Sequence, residues 1–142
     1  AGLEIDAYDS EDAIYLIEAA TPRGGISVSA RLLPTDRPHL LSEQFRDLCE
    51  APPPSGPNVW EATRFCPAPD TASGAPRRLM LGRIIAGIME TALLFGIDEV
   101  TYVASAALAP MAEEAGWQVR ALGAGRGKGR DRIQAFAAVI DA

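Results

Sequence analysis

A chain of 142 residues and 15.0 kDa is long enough to bury one hydrophobic core and too short for two ordinary domains. Its 48% apolar and 23% charged residues exclude a disordered or fibrous chain, and no apolar run reaches the roughly 20 residues that span a bilayer. A net charge of −6 argues against non-specific nucleic-acid binding, which depends on many cationic contacts.

The opening Ala1-Gly-Leu-Glu-Ile-Asp6 has neither the basic start nor the apolar stretch of a signal peptide. Cys49 and Cys66 make no disulfide framework and no metal spacing, so the expectation is a cytoplasmic protein with reduced thiols and no metal. The single histidine, His39, disfavours chemistry that needs several imidazoles and reads as structural.

In chain order, Ala13–Ala19 and Ile26–Leu33 are strand-like runs around Thr21-Pro-Arg-Gly-Gly25, which predicts a β-hairpin. Alternation in the second run sets Ile26, Val28, Ala30 and Leu32 on one face and Ser27, Ser29 and Arg31 on the other. Leu40–Leu48 predicts a short helix ended by Pro52-Pro53-Pro54. Asn58–Cys66 reads as a third strand and Pro67–Pro76 as a polar loop. Arg77–Phe95 carries Leu81, Ile84, Ile85, Ile88, Ala92 and Phe95 at helical spacing, with Gly96 at the stop. Glu99–Ala104 is a buried strand, Ala107–Ala115 a helix with Pro110 near its first turn, and Trp117–Leu122 and Ile133–Ile140 the last two strands. Gly123–Arg130 lacks the phosphate-loop pattern and precedes a strand, so it is expected to be a flexible loop. A mixed sheet with helices on both faces is the simplest architecture for this order.

Charge is unevenly spread. Residues 1–18 hold six acids and no base, whereas Arg120, Arg126, Lys128, Arg130 and Arg132 crowd one late segment and Arg77, Arg78 and Arg83 another. The pattern fits a cationic small molecule at the acidic end and an anionic partner at the basic one, or simply two solvated faces.

Asp6-Ala-Tyr-Asp9 spaces two carboxylates so that both reach one cation in a turn but diverge in a strand. Arg31 either binds a substrate carboxylate or holds a neighbouring aspartate. Glu61 stands in mid-strand, where an unpaired carboxylate is costly, so it is paired, wet or functional. Strict alternation sets Glu61 with Thr63 and Arg64 with Trp60; a bulge is needed if Glu61 and Arg64 are to serve one pocket.

Taken in order, Asp6-x-x-Asp9, Ser29-Ala-Arg31-Leu-Leu-Pro-Thr35-x-x-Pro38-His-Leu-Leu41 and Trp60-Glu61-x-Thr63-Arg64-Phe65 resemble the acyl-homoserine-lactone synthase (autoinducer synthase) family of bacterial quorum sensing. The likeness continues through the helix after residue 77, Val100–Val103 and Gly116-Trp117. It implies a three-layer α/β/α sandwich with a mixed central sheet, similar to GCN5-type N-acetyltransferases. The implied activity joins an acyl chain from acyl-carrier protein, or from acyl-coenzyme A, to the amine of S-adenosylmethionine. Lactone closure then releases methylthioadenosine, so S-adenosylmethionine is a substrate and no cofactor is implied. The alternatives are a related N-acyltransferase making acyl amino acids, and an inactive relative that only binds acyl-carrier protein.

By motif, Asp6, Asp9, Arg31, Glu61 and Arg64 match the family's charged set. Glu61 is the implied base, Thr63 and strand amides the oxyanion donors, and Arg31 and Arg64 the groups that order the acids and the substrate carboxylate. Asp6 and Asp9 suit a sulfonium and an ammonium, Phe65 joins the substrate-binding set, and Thr101 aligns with a threonine that accompanies 3-oxo-acyl preference. Ser73–Gly82 lacks the glycine run of coenzyme A-binding acetyltransferases, which favours a carrier protein. Its docking candidates are Arg77, Arg78, Arg83, Arg120, Arg126, Lys128 and Arg130. Family members begin with a further segment, so residues 1–142 are expected to form a single, N-terminally incomplete domain with no membrane insertion.

Overall fold

The computed structural model describes residues 6–18, 28–67 and 75–141. Strands β1 (Ile14–Glu18) and β2 (Val28–Pro34) pair antiparallel as the predicted hairpin. Its Pro/Gly turn lies outside the described residues. Helix α1 (Leu40–Glu43) follows, then β3 (Val59–Pro67), α2 (Ala75–Leu94), β4 (Glu99–Ser105), α3 (Pro110–Glu114), β5 (Gln118–Ala121) and β6 (Ile133–Val139). The six strands form one mixed sheet in the order β1-β2-β3-β4-β6-β5. Only β3 and β4 are parallel, a pairing that needs a long crossover, and α2 supplies it.

Alternation along the strands divides the core in two. Val28, Ala30, Leu32, Val100 and Ala138 meet Leu81, Ile84, Ile85, Ile88 and Ala92 of α2, together with Met111, Ala112 and Trp117. On the opposite face Ala135 packs with Leu41, Leu48 and Cys49, over which Phe45, Val103, Leu122 and Ile133 close. The sheet is thus sandwiched between α2 and α3 on one side and α1 with its following turn on the other. Among the described residues no helix is long and apolar enough to cross a membrane.

Three local expectations are corrected. The helix expected over Leu40–Leu48 is one α-helical turn, then a separate 3₁₀ turn at Arg46–Leu48. The break falls where the amides of both Gln44 and Phe45 donate to the Leu40 carbonyl. The helix expected from Ala107 begins only at Pro110, which has no amide to give and fits the first helical position. The glycine-rich loop is pinned, not loose. Its Leu122 carbonyl accepts from Glu50 N–H at 2.9 Å, and Arg126 bridges Ile133. A Cβ on Gly123 would come 2.2 Å from the Leu48 carbonyl oxygen, so glycine there permits a close approach between loop and turn.

Candidate active site

Arg31 organises the site. It stands on the face of β2 away from α2, fully buried, opposite Thr63 in the β2–β3 register. A buried guanidinium needs its donors filled. Its Nε donates to Thr63 Oγ1 at 2.9 Å, and its Nη1 to both Asp6 Oδ1 and Asp9 Oδ1 at 2.9 Å. Nη2 reaches Asp6 Oδ2 at 3.2 Å. The Asp6-x-x-Asp9 spacing works here as a turn: Asp6 N–H donates to Asp9 Oδ2 and Tyr8 N–H to Asp6 Oδ1, both at 2.9 Å. The Tyr15 hydroxyl donates to Asp9 from the neighbouring strand.

Arg64 joins this cluster through a break in alternation. Between Ser29 and Arg31 the β2–β3 register shifts, so that Arg64 and Phe65 together oppose Ala30. Arg64 adopts φ 50°, a left-handed conformation uncommon outside glycine. The bulge turns its guanidinium onto Asp6 Oδ2 at 2.9 Å, with Asp9 Oδ2 at 3.7 Å, and leaves Phe65 packed against the α2-side core. Arg31, Arg64, Asp6 and Asp9 thereby form one four-membered ionic cluster.

Hydrogen bonds within the cluster hold both aspartates well below the usual carboxylate range. For Asp6 the main cause is the hydrogen bonds from Arg31; Asp9 is drawn down to about 2, chiefly by the Tyr15 hydroxyl, the Asp6 amide and Arg31. A lowered folded-state value favours the fold above the ordinary carboxylate pKa of about 4 and loses that effect as pH falls through the folded value. Asp9→Asn is therefore expected to lower the melting temperature most at neutral pH, the gap to the parent closing toward about pH 2. A gap that stays constant with pH would exclude the ionic contribution.

Glu61 shares the Arg31 face, one residue pair along β3 from Thr63, roughly 7 Å by strand geometry. It is 1% exposed and is paired with neither arginine. Its two oxygens instead accept the first amides of α1, Leu40 N–H at 3.1 Å and Leu41 N–H at 2.8 Å. Burial pushes its carboxyl up, against the smaller pull of the His39 charge, these two amides and Arg31.

β3 and β4 pair only from Val59 to Ala62; beyond that each follows its other neighbour and the two diverge. In the opening lies a cavity of about 430 Å³, walled mainly by apolar side chains from β3, β4, α2 and α3. Thr63, Arg64 and Phe65 also line it, so the cavity and the ionic cluster meet at Thr63 and Arg64.

Thr101 does not line this cavity. It is fully buried on the Glu61 face, and its neighbour Tyr102 takes the cavity wall because successive residues point to opposite faces. The Tyr102 hydroxyl is buried without a partner among the described residues. Sequence reasoning passed over it because a tyrosine in a β-strand reads as core. Burial also raises the Cys49 thiol, which suits packing and not attack.

The basic residues do not form one surface. Arg78 lies at the start of α2, bonded to Glu114 at 2.5 Å, and the side chain of Arg77 lies outside the described residues. Arg83 is exposed one turn further along α2. Arg126 is on the opposite side of the sheet, bonded to Asp47 at 2.7 Å and stacked over Phe45, with exposed Lys128 and Arg130 in the same loop. Arg120 bonds Glu99 at 3.3 Å.

The fold is shared with a putative N-acetyltransferase from Lactobacillus plantarum, at a TM-score of 0.59 and 13% identity over 96% of this chain and 75% of that one. Much nearer is a CoA-dependent acyl-homoserine lactone synthase, MesI, with a TM-score of 0.84 and 32% identity over 98% of this chain and 68% of its own. Another CoA-dependent synthase, BjaI, solved with SAM and isopentyl-CoA, gives 0.80 and 31% over 97% and 63%. In sequence, the acyl-homoserine-lactone synthase of Rhizobium etli is 32% identical over 117 residues, 81% of this chain and 55% of that protein. The chain spans about half the length of the first relatives it matches. The autoinducer synthase model matches residues 1–142, the whole stretch that carries the ionic cluster, the bulge and the splayed strands, and the chain belongs to that family.

Proposed function

We propose that the protein carrying this chain is an acyl-homoserine-lactone synthase, which moves an acyl group from a thioester to the amine of S-adenosylmethionine and closes the lactone with release of methylthioadenosine. The observation that carries this reading is the meeting of an apolar cavity with the Arg31–Asp6–Asp9–Arg64 cluster at Thr63. An acyl chain suits the cavity, and the aspartates and arginines suit the ammonium, sulfonium and carboxylate of the other substrate. Co-binding of SAM and an acyl-CoA in BjaI supports the same pairing.

The substrate ammonium loses two protons in becoming an amide; the departing thiolate takes one and Glu61, acting as base, takes the other. Thr63 and amides of the diverging strands face the developing oxyanion. The substrate carboxylate then displaces methylthioadenosine, a neutral leaving group, and positioning suffices. The unpartnered Tyr102 hydroxyl, in place of Thr101, is the polar group that an oxygen-bearing acyl chain would meet in the cavity.

Two donors fit. Arg77, Arg78 and Arg83, on the helix that lines the cavity, form the proposed dock for an acidic carrier protein or for the phosphates of coenzyme A. Arg120, Arg126, Lys128 and Arg130 would form a separate second contact. The CoA dependence of MesI and BjaI favours coenzyme A as the second reading. Mass spectrometry of the intact protein's products with S-adenosylmethionine and each donor decides. An acyl-homoserine lactone plus methylthioadenosine is expected; an open acyl amino acid would point to a plain N-acyltransferase, and no product to a binding protein.

A further inference from the structure

Strand register brings one further residue to the ionic cluster. In the antiparallel pairings Tyr15 stands opposite Arg31, and Arg31 opposite Thr63. Paired residues share a face, so the three side chains make a row across β1, β2 and β3, roughly 10 Å between its outer Cα atoms by strand spacing. The neighbours of Tyr15 in β1 fix its side: Ile14 and Leu16 pack against the α2-side core, which leaves Tyr15 on the Arg31 face. At the inner end of the row Thr63 meets the apolar cavity. At the outer end, on the edge strand, Tyr15 is 51% exposed. A half-exposed tyrosine is ordinary by itself, but this one is tethered. Its hydroxyl donates to Asp9, which Arg31 also holds, so the phenol stays beside the cluster. A phenol that gives its hydrogen to a carboxylate is richer in electrons, which strengthens the pull of its ring face on a cation.

The cluster itself is electrically balanced. Asp6 and Asp9 are held ionised at neutral pH, and their two carboxylates against Arg31 and Arg64 sum to no net charge. In the reading proposed above, S-adenosylmethionine brings a carboxylate, an ammonium and a sulfonium, with positive charge in excess. The carboxylate and the ammonium each find an opposite charge in the cluster; the sulfonium finds none left over there. We propose that the ring of Tyr15 is the sulfonium platform of the S-adenosylmethionine site, a cation–π contact that recognises the charge on the sulfur. The inference rests on that reading of the function. Laid along the row, the substrate has its sulfur over Tyr15 and its amine toward Thr63, next to the acyl cavity. Lactone closure turns the sulfonium into the neutral thioether of methylthioadenosine. The attraction ends with the charge, so Tyr15 holds the substrate and releases the product.

Calorimetric titration of the intact protein with S-adenosylmethionine, S-adenosylhomocysteine and methylthioadenosine tests it. The second ligand keeps the ammonium and the carboxylate but has a neutral sulfur. The parent is expected to bind S-adenosylmethionine about tenfold more tightly than S-adenosylhomocysteine. Tyr15→Leu, at a half-exposed position, should lose most of that preference by weakening S-adenosylmethionine alone, with both neutral ligands unchanged. Tyr15→Phe keeps the ring without the hydroxyl and should retain most of the preference. Equal weakening of charged and neutral ligands by Tyr15→Leu, no change in any of them, or Tyr15→Phe as undiscriminating as Tyr15→Leu overturns the platform while leaving the synthase reading in place. A parent that binds none of the three ligands overturns the synthase reading itself, and the platform with it.

Discussion

Glu61→Gln is expected to lower acyl transfer by roughly 10² to 10⁴-fold, the range by which a positioned base accelerates such reactions. The parent should lose activity on the acid side as Glu61 takes up a proton. Because burial raises its carboxyl, that limb should lie above the usual glutamate range, and it should vanish in the variant. Stability will change too. Both Glu61 oxygens accept amides of α1, and a glutamine must turn its NH₂ toward one of them, stranding a buried donor at about 1–3 kcal/mol. Relief of a buried charge offsets part of this, so turnover has to be measured per folded molecule. Near-normal turnover of folded Glu61→Gln would leave the carboxylate a purely structural fastener for α1.

Arg31→Ala is the substitution expected to cost the fold most. It removes the guanidinium shared by two aspartates, leaving them Arg64 and the Tyr15 hydroxyl, and leaves the Thr63 hydroxyl without its Arg31 donor. Breaking a buried ion pair costs about 3–5 kcal/mol; Asp6 and Asp9 keep side-chain access to water of 33% and 22%, which sets the expectation at the lower end, about 3 kcal/mol. Arg31→Lys keeps the charge but not the fork that serves Thr63, Asp6 and Asp9 together, and should recover less than half of the loss. Denaturant midpoints at neutral pH measure both. A loss below about 1 kcal/mol for Arg31→Ala would place the cluster among weak surface pairs.

The sequence carried the fold further than it carried the chemistry. Alternation in Val28–Leu32 and the helical spacing of Leu81 to Ala92 are local patterns, and local patterns survive into the structure because each buries one face. Arg31 holding the aspartates was one of two open readings, since a strand face shows which way a guanidinium points but not what the distant N-terminal turn brings to it. Glu61 in mid-strand reads as paired, wet or functional; its amide partners come from α1, twenty residues away in the chain, and no spacing rule signals them. The unsatisfied atoms of His39 and Tyr102 were likewise invisible, because an unmade hydrogen bond is a property of the packed interior.

The irregularity at Arg64 reaches beyond the residue itself. One extra residue reverses the parity of everything after it in the strand, so Phe65 exchanges sides with Arg64 while Glu61 and Thr63 keep theirs. A single strand thereby feeds a guanidinium to one layer and an aromatic ring to the other within two consecutive positions. Glycine at 64 would sit more comfortably in that backbone but would delete the cation, so conformational ease and ionic chemistry select opposite residues at this point. An engineered deletion of Arg64 would restore regular pairing and leave Phe65 on the α2 side opposite Ala30, so the extra residue serves to insert the cation without moving the ring.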